Sequence, residues 1–132
     1  MSLTEETAHA VIKAARVAAN SIGVPMNIAV LDAGAHLKAF ARMDGALLGS
    51  IDVALRKAKT AVLFGMNSEA VGEFCKPGGP SPGLELTNGT LVVFAGGIAI
   101  RNADGIVIGS VGVSGGAIEQ DLLVARAAAS AP

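Results

Sequence analysis

The sequence predicts an α+β fold, and three observations point there. Strand-like segments follow one another across short turns, so they pair antiparallel. Helical segments are kept apart from them at 4–22, 50–64 and 117–129. No strand–helix–strand alternation of the kind that builds a parallel sheet is present. The predicted order is helix, two strands, a long and a short helix, a loop, three strands and a closing helix.

The first helix spans 4–22. Ala8, Val11, Ile12, Ala15, Ala19 and Ile22 form an apolar stripe at helical spacing. Thr4 caps its start, Glu5 and Glu6 suit the dipole, and Gly23 with Pro25 ends it. Met26–Asp32 and His36–Met43 read as a hairpin around Ala33-Gly34-Ala35, with Gly34 expected to supply the left-handed turn residue. A second helix covers 50–64, with Ile51, Ala54, Leu55, Ala58 and Val62 facing inward, an Asp52–Arg56 pair facing solvent and Gly65 closing it. A short helical turn follows at 68–74. Residues 75–90 carry three prolines and several glycines that exclude regular structure. A loop of this length in a small domain is usually functional or disordered, so it is a candidate lid. Leu91–Ala95, Gly97–Arg101 and Ile106–Val113 are expected as three strands, or as two strands and an extended edge, the last two joined by the turn Asn102–Gly105. In the closing helix Ile118, Leu122, Ala125 and Ala129 share a face.

With 132 residues the chain reads as one domain, large enough for its own core. Hydrophobic residues make up 52% and charged residues 16%, an apolar balance that predicts burial of surface between subunits and hence a homo-oligomer. A net charge of −1 and the absence of Trp and Tyr argue against nucleic acid or an anionic membrane as partner. No apolar run approaches the ~20 residues of a membrane span, and the N-terminus lacks signal-peptide features. A lone cysteine, Cys75, excludes an internal disulfide, and a cytoplasmic location is expected.

The chemistry-bearing residues narrow the function by exclusion. His9, His36 and Cys75 have no zinc-like spacing. Neither Ser110 nor Ser114 sits in a nucleophile elbow, and no dinucleotide or phosphate-loop motif occurs. The segment Gly105–Gly116, GIVIGSVGVSGG, reads as a strand running into a glycine-softened helix start. Ser114, Gly115 and Gly116 there form either an ordinary helix cap or a site where main-chain amides hold a carboxylate or phosphate. Arg42, Asp44, Lys57 and Arg101 are the charges of interest: an ion pair and solvated helix residues on one reading, an organic-acid site on the other.

Several blocks, in this order and spacing, resemble one family. They are LTEETAHAVIKAARVAA, GVPMNIAVLDAGAHLKAFARMDGA, ALRKAKTA, the pair Gly96–Gly97 and GIVIGSVGVSGGAIEQD. The chain resembles the GlcG/HbpS haem-degrading family, which includes the C-terminal domain of PduO-type proteins, over almost its whole length. The resemblance implies a profilin-like sandwich with an antiparallel five-stranded sheet flanked by helices, oligomeric assembly, and haem or a small organic acid as ligand. Positions that match the family are Asp32, Arg42, Asp44, Gly45, Lys57, Gly97, Gly112, Ser114, Gly115 and Asp121. His9 falls where some haem-binding relatives place a ligating histidine, although by sequence alone a lone histidine on an alanine-rich helix reads first as a surface or interface residue. Ala99 and Leu122 depart from the family pattern, where proline and an acidic residue are common.

Three functions follow. The first is a haem- or tetrapyrrole-binding protein that assists haem degradation, with His9 on the iron. The second is a cofactor-independent enzyme of organic-acid catabolism. In that reading Arg42, Asp44, Lys57 and His36 are catalytic, and Ser114, Gly115, Gly116, Gly97 and Asp121 bind the ligand. The third is a non-catalytic assembly module.

Overall fold

In the computed structural model, which describes residues 1–131, the chain folds as α1 (Glu5–Ile22), β1 (Asn27–Asp32), β2 (Leu37–Arg42), α2 (Gly49–Phe64), α3 (Ser68–Cys75), a 3₁₀ turn (Leu84–Leu86), β3 (Gly97–Arg101), β4 (Val107–Ser114) and α4 (Ile118–Ala129). The four strands form one antiparallel sheet in the order β2-β1-β4-β3. Alternation along β1 and β4 divides the core in two. Ile28, Val30, Val111 and Val113 face α1 and α4, while Ala29 and Leu31 face Ala54, Ala58 and Val62 of α2. The sheet is therefore the middle of three layers.

The helix signals translate directly into structure. Thr4 Oγ1 accepts the Thr7 N–H at 3.1 Å, and Gly23 takes φ 68° at the end of α1. The helix buries Ala8, Val11, Ile12, Ala15 and Ala19. Gly65 closes α2 at φ 63°, and Arg56 Nε donates to Asp52 at 2.7 Å.

Four expectations are corrected. The sheet has four strands among the described residues, not five, because Leu91–Ala95 joins no ladder. Its polar main-chain groups go elsewhere: Leu91 N–H to Glu85 O, and Phe94 O to the Ser68 hydroxyl. Val93 packs so tightly on Gly72 of α3 that a Cβ there would overlap the Val93 carbonyl oxygen. This contact with α3 overrides the β-propensity of Val92 and Val93. In the first hairpin it is Ala35 (φ 67°), not Gly34, that takes the left-handed conformation. The side chain of Asp32 accepts the Gly34 and His36 N–H groups and holds the turn in that shape. The inner face of α4 is turned by about one residue from the expected stripe. Asp121, Val124, Ala125 and Ala128 are buried, while Ile118 is half exposed. Lastly, α2 buries Lys57 and Thr60 along with its apolar face.

Candidate functional site

Polar burial concentrates where β4 runs out and α4 begins. Ser114 ends β4 opposite Asn27 of β1, and both are buried. The next two residues must be small. A Cβ on Gly115 would lie 2.5 Å from the Pro25 carbonyl oxygen, and one on Gly116 would meet Gln120 and Val24. The amides at this helix start are satisfied from α4 itself. Gly116 N–H donates to Asp121 Oδ1 at 2.9 Å, and Ala117 N–H donates to Gln120 Oε1 at 2.8 Å. The carboxylate and amide side chains thus cap the dipole end from within the first turn.

The second oxygen of Asp121 lies 2.9 Å from Lys57 Nζ, and both side chains are almost wholly buried. The same ammonium donates to Val113 O at 2.9 Å and sits 5.0 Å from the centroid of the Phe94 ring. These partners replace water around a buried cation. Burial pushes the Lys57 pKa down, opposed by its hydrogen bond to Asp121 and by that carboxylate's charge. Gly96 (φ 129°) and Gly97 carry the chain over this lysine. A Cβ on Gly96 would come within 2.6 Å of Nζ, and one on Gly97 would overlap the Lys57 carbonyl oxygen. The fold thereby assembles Lys57, Asp121, Gly97, Ser114, Gly115 and Gly116 from four elements and their flanking turns.

The other candidate residues lie elsewhere. Arg42 and Asp44 line an open groove of about 500 Å³ with Arg16, Asn20, Pro25 and Met43. Pro25 borders both this groove and Gly115, so its backbone separates the two regions. His36 stands at the β1–β2 turn, with Nδ1 3.5 Å from Asp32 and most of its side chain in solvent. His36 directly precedes β2 and Arg42 ends it, about 20 Å apart along an extended strand. His9 is exposed on α1 and lines a smaller cavity of about 290 Å³ with Ile12, Lys13 and Arg16. Arg101 is engaged locally, donating to Gly65 O at 2.6 Å and Gly105 O at 3.0 Å. The 75–90 loop is anchored as well: Arg56 donates to Gly89 O at 2.6 Å, and Lys59 donates to Asn88 O.

Sequence reasoning passed over Lys13, Arg16 and Phe94. His9, Lys13 and Arg16 recur at i, i+4 and i+7, a spacing that sets them on one outward face of α1. For Phe94 the sequence carries no signal, because its partner Lys57 is 37 positions away.

Among the described residues, no group of three or more His, Cys, Asp or Glu side chains is placed to hold a metal ion. No helix there is long and apolar enough to cross a membrane.

A three-layer α+β domain with a lysine–carboxylate pair sealed at one end of its sheet and cationic side chains on its first helix defines the class of structure. Comparison with known proteins then gives the family. The chain belongs to the haem degrading protein HbpS-like family, whose model matches residues 3–130. It is 38% identical over 128 residues to an uncharacterized 15.0 kDa protein from the dhaT-dhaS intergenic region of Citrobacter freundii, covering 96% of this chain and 89% of that one. It is 36% identical to the corrinoid adenosyltransferase PduO of the same organism over 99% of this chain, but spans only 39% of PduO. Among solved structures, a complex of PduOC with haem superposes with a TM-score of 0.93 at 35% identity, covering all of this chain and 96% of the other.

Proposed function

We propose that this protein binds haem on the face made by α1 and the end of β2. One observation carries the reading: Arg16 lines both the cavity that holds His9 and the groove that holds Arg42. An imidazole and several cationic side chains thus border one continuous surface. Haem presents a flat apolar body, an iron that needs an axial ligand, and two propionates. Ile12, Val24, Pro25 and Met43 offer apolar contact, His9 offers the imidazole, and Lys13, Arg16 and Arg42 offer partners for the carboxylates. The complex of PduOC with haem supports the choice of ligand. Bound haem would supply redox-active iron. The chain's own part is to ligate through His9, orient the propionates and shield one face from water.

The same reading includes a role in haem degradation, a cytoplasmic location, a profilin-like sandwich acting as a single domain over 1–132, and self-association. The open groove covers one side of a porphyrin, and Leu47 and Leu48 leave apolar surface for a second subunit. The organic-acid alternative draws less support, because Lys57 is sealed behind Phe94 and His36 stands far from Arg42.

Titration with haemin followed at the Soret band tests this. A saturable shift that is lost or displaced in His9→Ala is expected. The absence of any saturable shift overturns haem binding, and a spectrum unchanged in His9→Ala removes His9 from the iron.

A further inference from the structure

Near the end of the 75–90 loop the chain runs Thr87-Asn88-Gly89-Thr90, and all four residues are exposed. This is the one Asn-Gly step in the sequence. Asn88, Gly89 and Thr90 take successive left-handed φ values of 55°, 72° and 74°. Such a run has to be held from outside, because a β-branched residue resists that conformation. The holding groups are two cations of α2. Arg56 donates to the carbonyl oxygens of Gly89 and Thr90, and Lys59 donates to Asn88 O. The Asn88 side chain is fixed as well, its Nδ2 donating to Thr87 Oγ1 at 3.0 Å. Lys59 is the informative group. Asn88 O belongs to the same peptide unit as the Gly89 nitrogen. When that N–H loses its proton, the negative charge is shared with this oxygen, where the ammonium already sits. A cation there favours the deprotonated amide. A Cβ on Gly89 would lie 3.6 Å from Lys59 Nζ, so the charge stands beside the nitrogen too. Among the described residues the Gly89 N–H has no main-chain acceptor. Gly89 also brings no side chain to block the approach of its nitrogen to a neighbouring carbonyl.

We infer that Asn88 is a self-modifying site: the Gly89 nitrogen attacks Asn88 Cγ, with Lys59 as the activating cation, and the side-chain amide is lost as ammonia. Water is the only co-reactant. The Gly89 N–H gives its proton to hydroxide, and the N–Cγ bond forms. The Cγ–Nδ2 bond breaks, and ammonia leaves with a proton taken from water, which closes a five-membered succinimide. Water then opens the ring at either carbonyl. The product is a carboxylate at position 88, as aspartate or as isoaspartate, the latter with one extra carbon in the main chain. No electron changes hands. With that extra carbon the carbonyls of residues 88 to 90 lose their register with Lys59 and Arg56. The modification thereby frees the end of the loop from α2. The site lies on α2 and the loop, so it does not rest on haem binding at α1.

The test is to age the full, folded chain at neutral pH and follow its peptides by mass spectrometry. The peptide carrying Asn88 should gain about 1 Da and split into aspartyl and isoaspartyl forms. The peptides carrying Asn20, Asn67 and Asn102 should change far more slowly. Lys59→Met should slow the gain at Asn88 by about fivefold or more, and Lys59→Arg, which keeps the charge, should restore most of the rate. A gain at Asn88 no faster than at the other three asparagines overturns the proposal. So does a wild-type rate in Lys59→Met. Should that variant not fold, a rate in the folded wild type no faster than in its urea-unfolded form overturns the proposal in its place. In the isoaspartyl form, isolated by ion exchange, the Leu91 amide that donates to Glu85 O at 2.7 Å should exchange with solvent faster than before. An unchanged exchange rate there overturns the release of the loop.

Discussion

Lys57 Nζ and Asp121 Oδ2 lie 2.9 Å apart in the interior and tie α2 to α4 across the end of β4. The same carboxylate holds the Gly116 amide, so one side chain neutralises a buried cation and caps a helix. Everything around the pair is shaped to admit it: glycines where the chain crosses the lysine, an aromatic ring over the ammonium, and a main-chain carbonyl as the third partner.

Removing one member of this pair should be far worse than removing both. Asp121→Asn or Lys57→Met strands the opposite charge without its partner, a loss of about 3–5 kcal/mol. The double variant should recover much of that, as read from urea unfolding midpoints. Single variants as stable as the wild type would show that the pair contributes nothing.

Asp32 should govern part of the acid limb of stability. The His36 amide N–H, ahead of the opposing effect of burial and with help from the Gly34 N–H, holds its carboxyl below the usual range. A depressed folded-state pKa means a contribution present in full above the unfolded value of about 3.9. That contribution is lost as pH falls through the lower folded value. Asp32→Ala should therefore destabilise at pH 7, with the difference from wild type shrinking in acid. The check is urea unfolding of both proteins at neutral and acid pH.

Gly112 should tolerate no side chain. A Cβ there would overlap the Ala54 carbonyl oxygen and come within 2.6 Å of Ala58 N, because α2 lies directly on β4. Gly112→Ala is expected to cost about 1–3 kcal/mol or more. A wild-type thermal midpoint in that variant would mean that α2 moves aside at little cost.

If the α1 surface holds haem, charge and coordination should separate. Arg16→Ala with Arg42→Ala should weaken haemin binding about tenfold and reduce its sensitivity to salt, while the Soret position of the saturated complex stays unchanged. His9→Ala should move the Soret band. A double variant with wild-type affinity and salt dependence would place the propionates elsewhere.

The sequence by itself determined the elements whose signals are local. Alanine and valine spacing with Thr4, Gly23 and Gly65 set α1 and α2, because caps and stripes act within a few residues. The turn residues Asp32 and Asn102 set the two hairpins through bonds to their own neighbouring backbone. Lys57 carried a weak sign of its burial, since Ala54, Ala58 and Ala61 surround it on the helix and leave room beside it. Only the tertiary structure decided its partner 64 positions away, the turned inner face of α4, and the failure of Leu91–Ala95 to join the sheet. It alone also separated Arg42 and Asp44 from the helix start while bringing Arg16 beside them. The physical reason is the same in each case. Pairing of charges, the choice of helix face and strand membership depend on which surfaces meet across the fold, and that meeting is decided by packing rather than by neighbours in the chain.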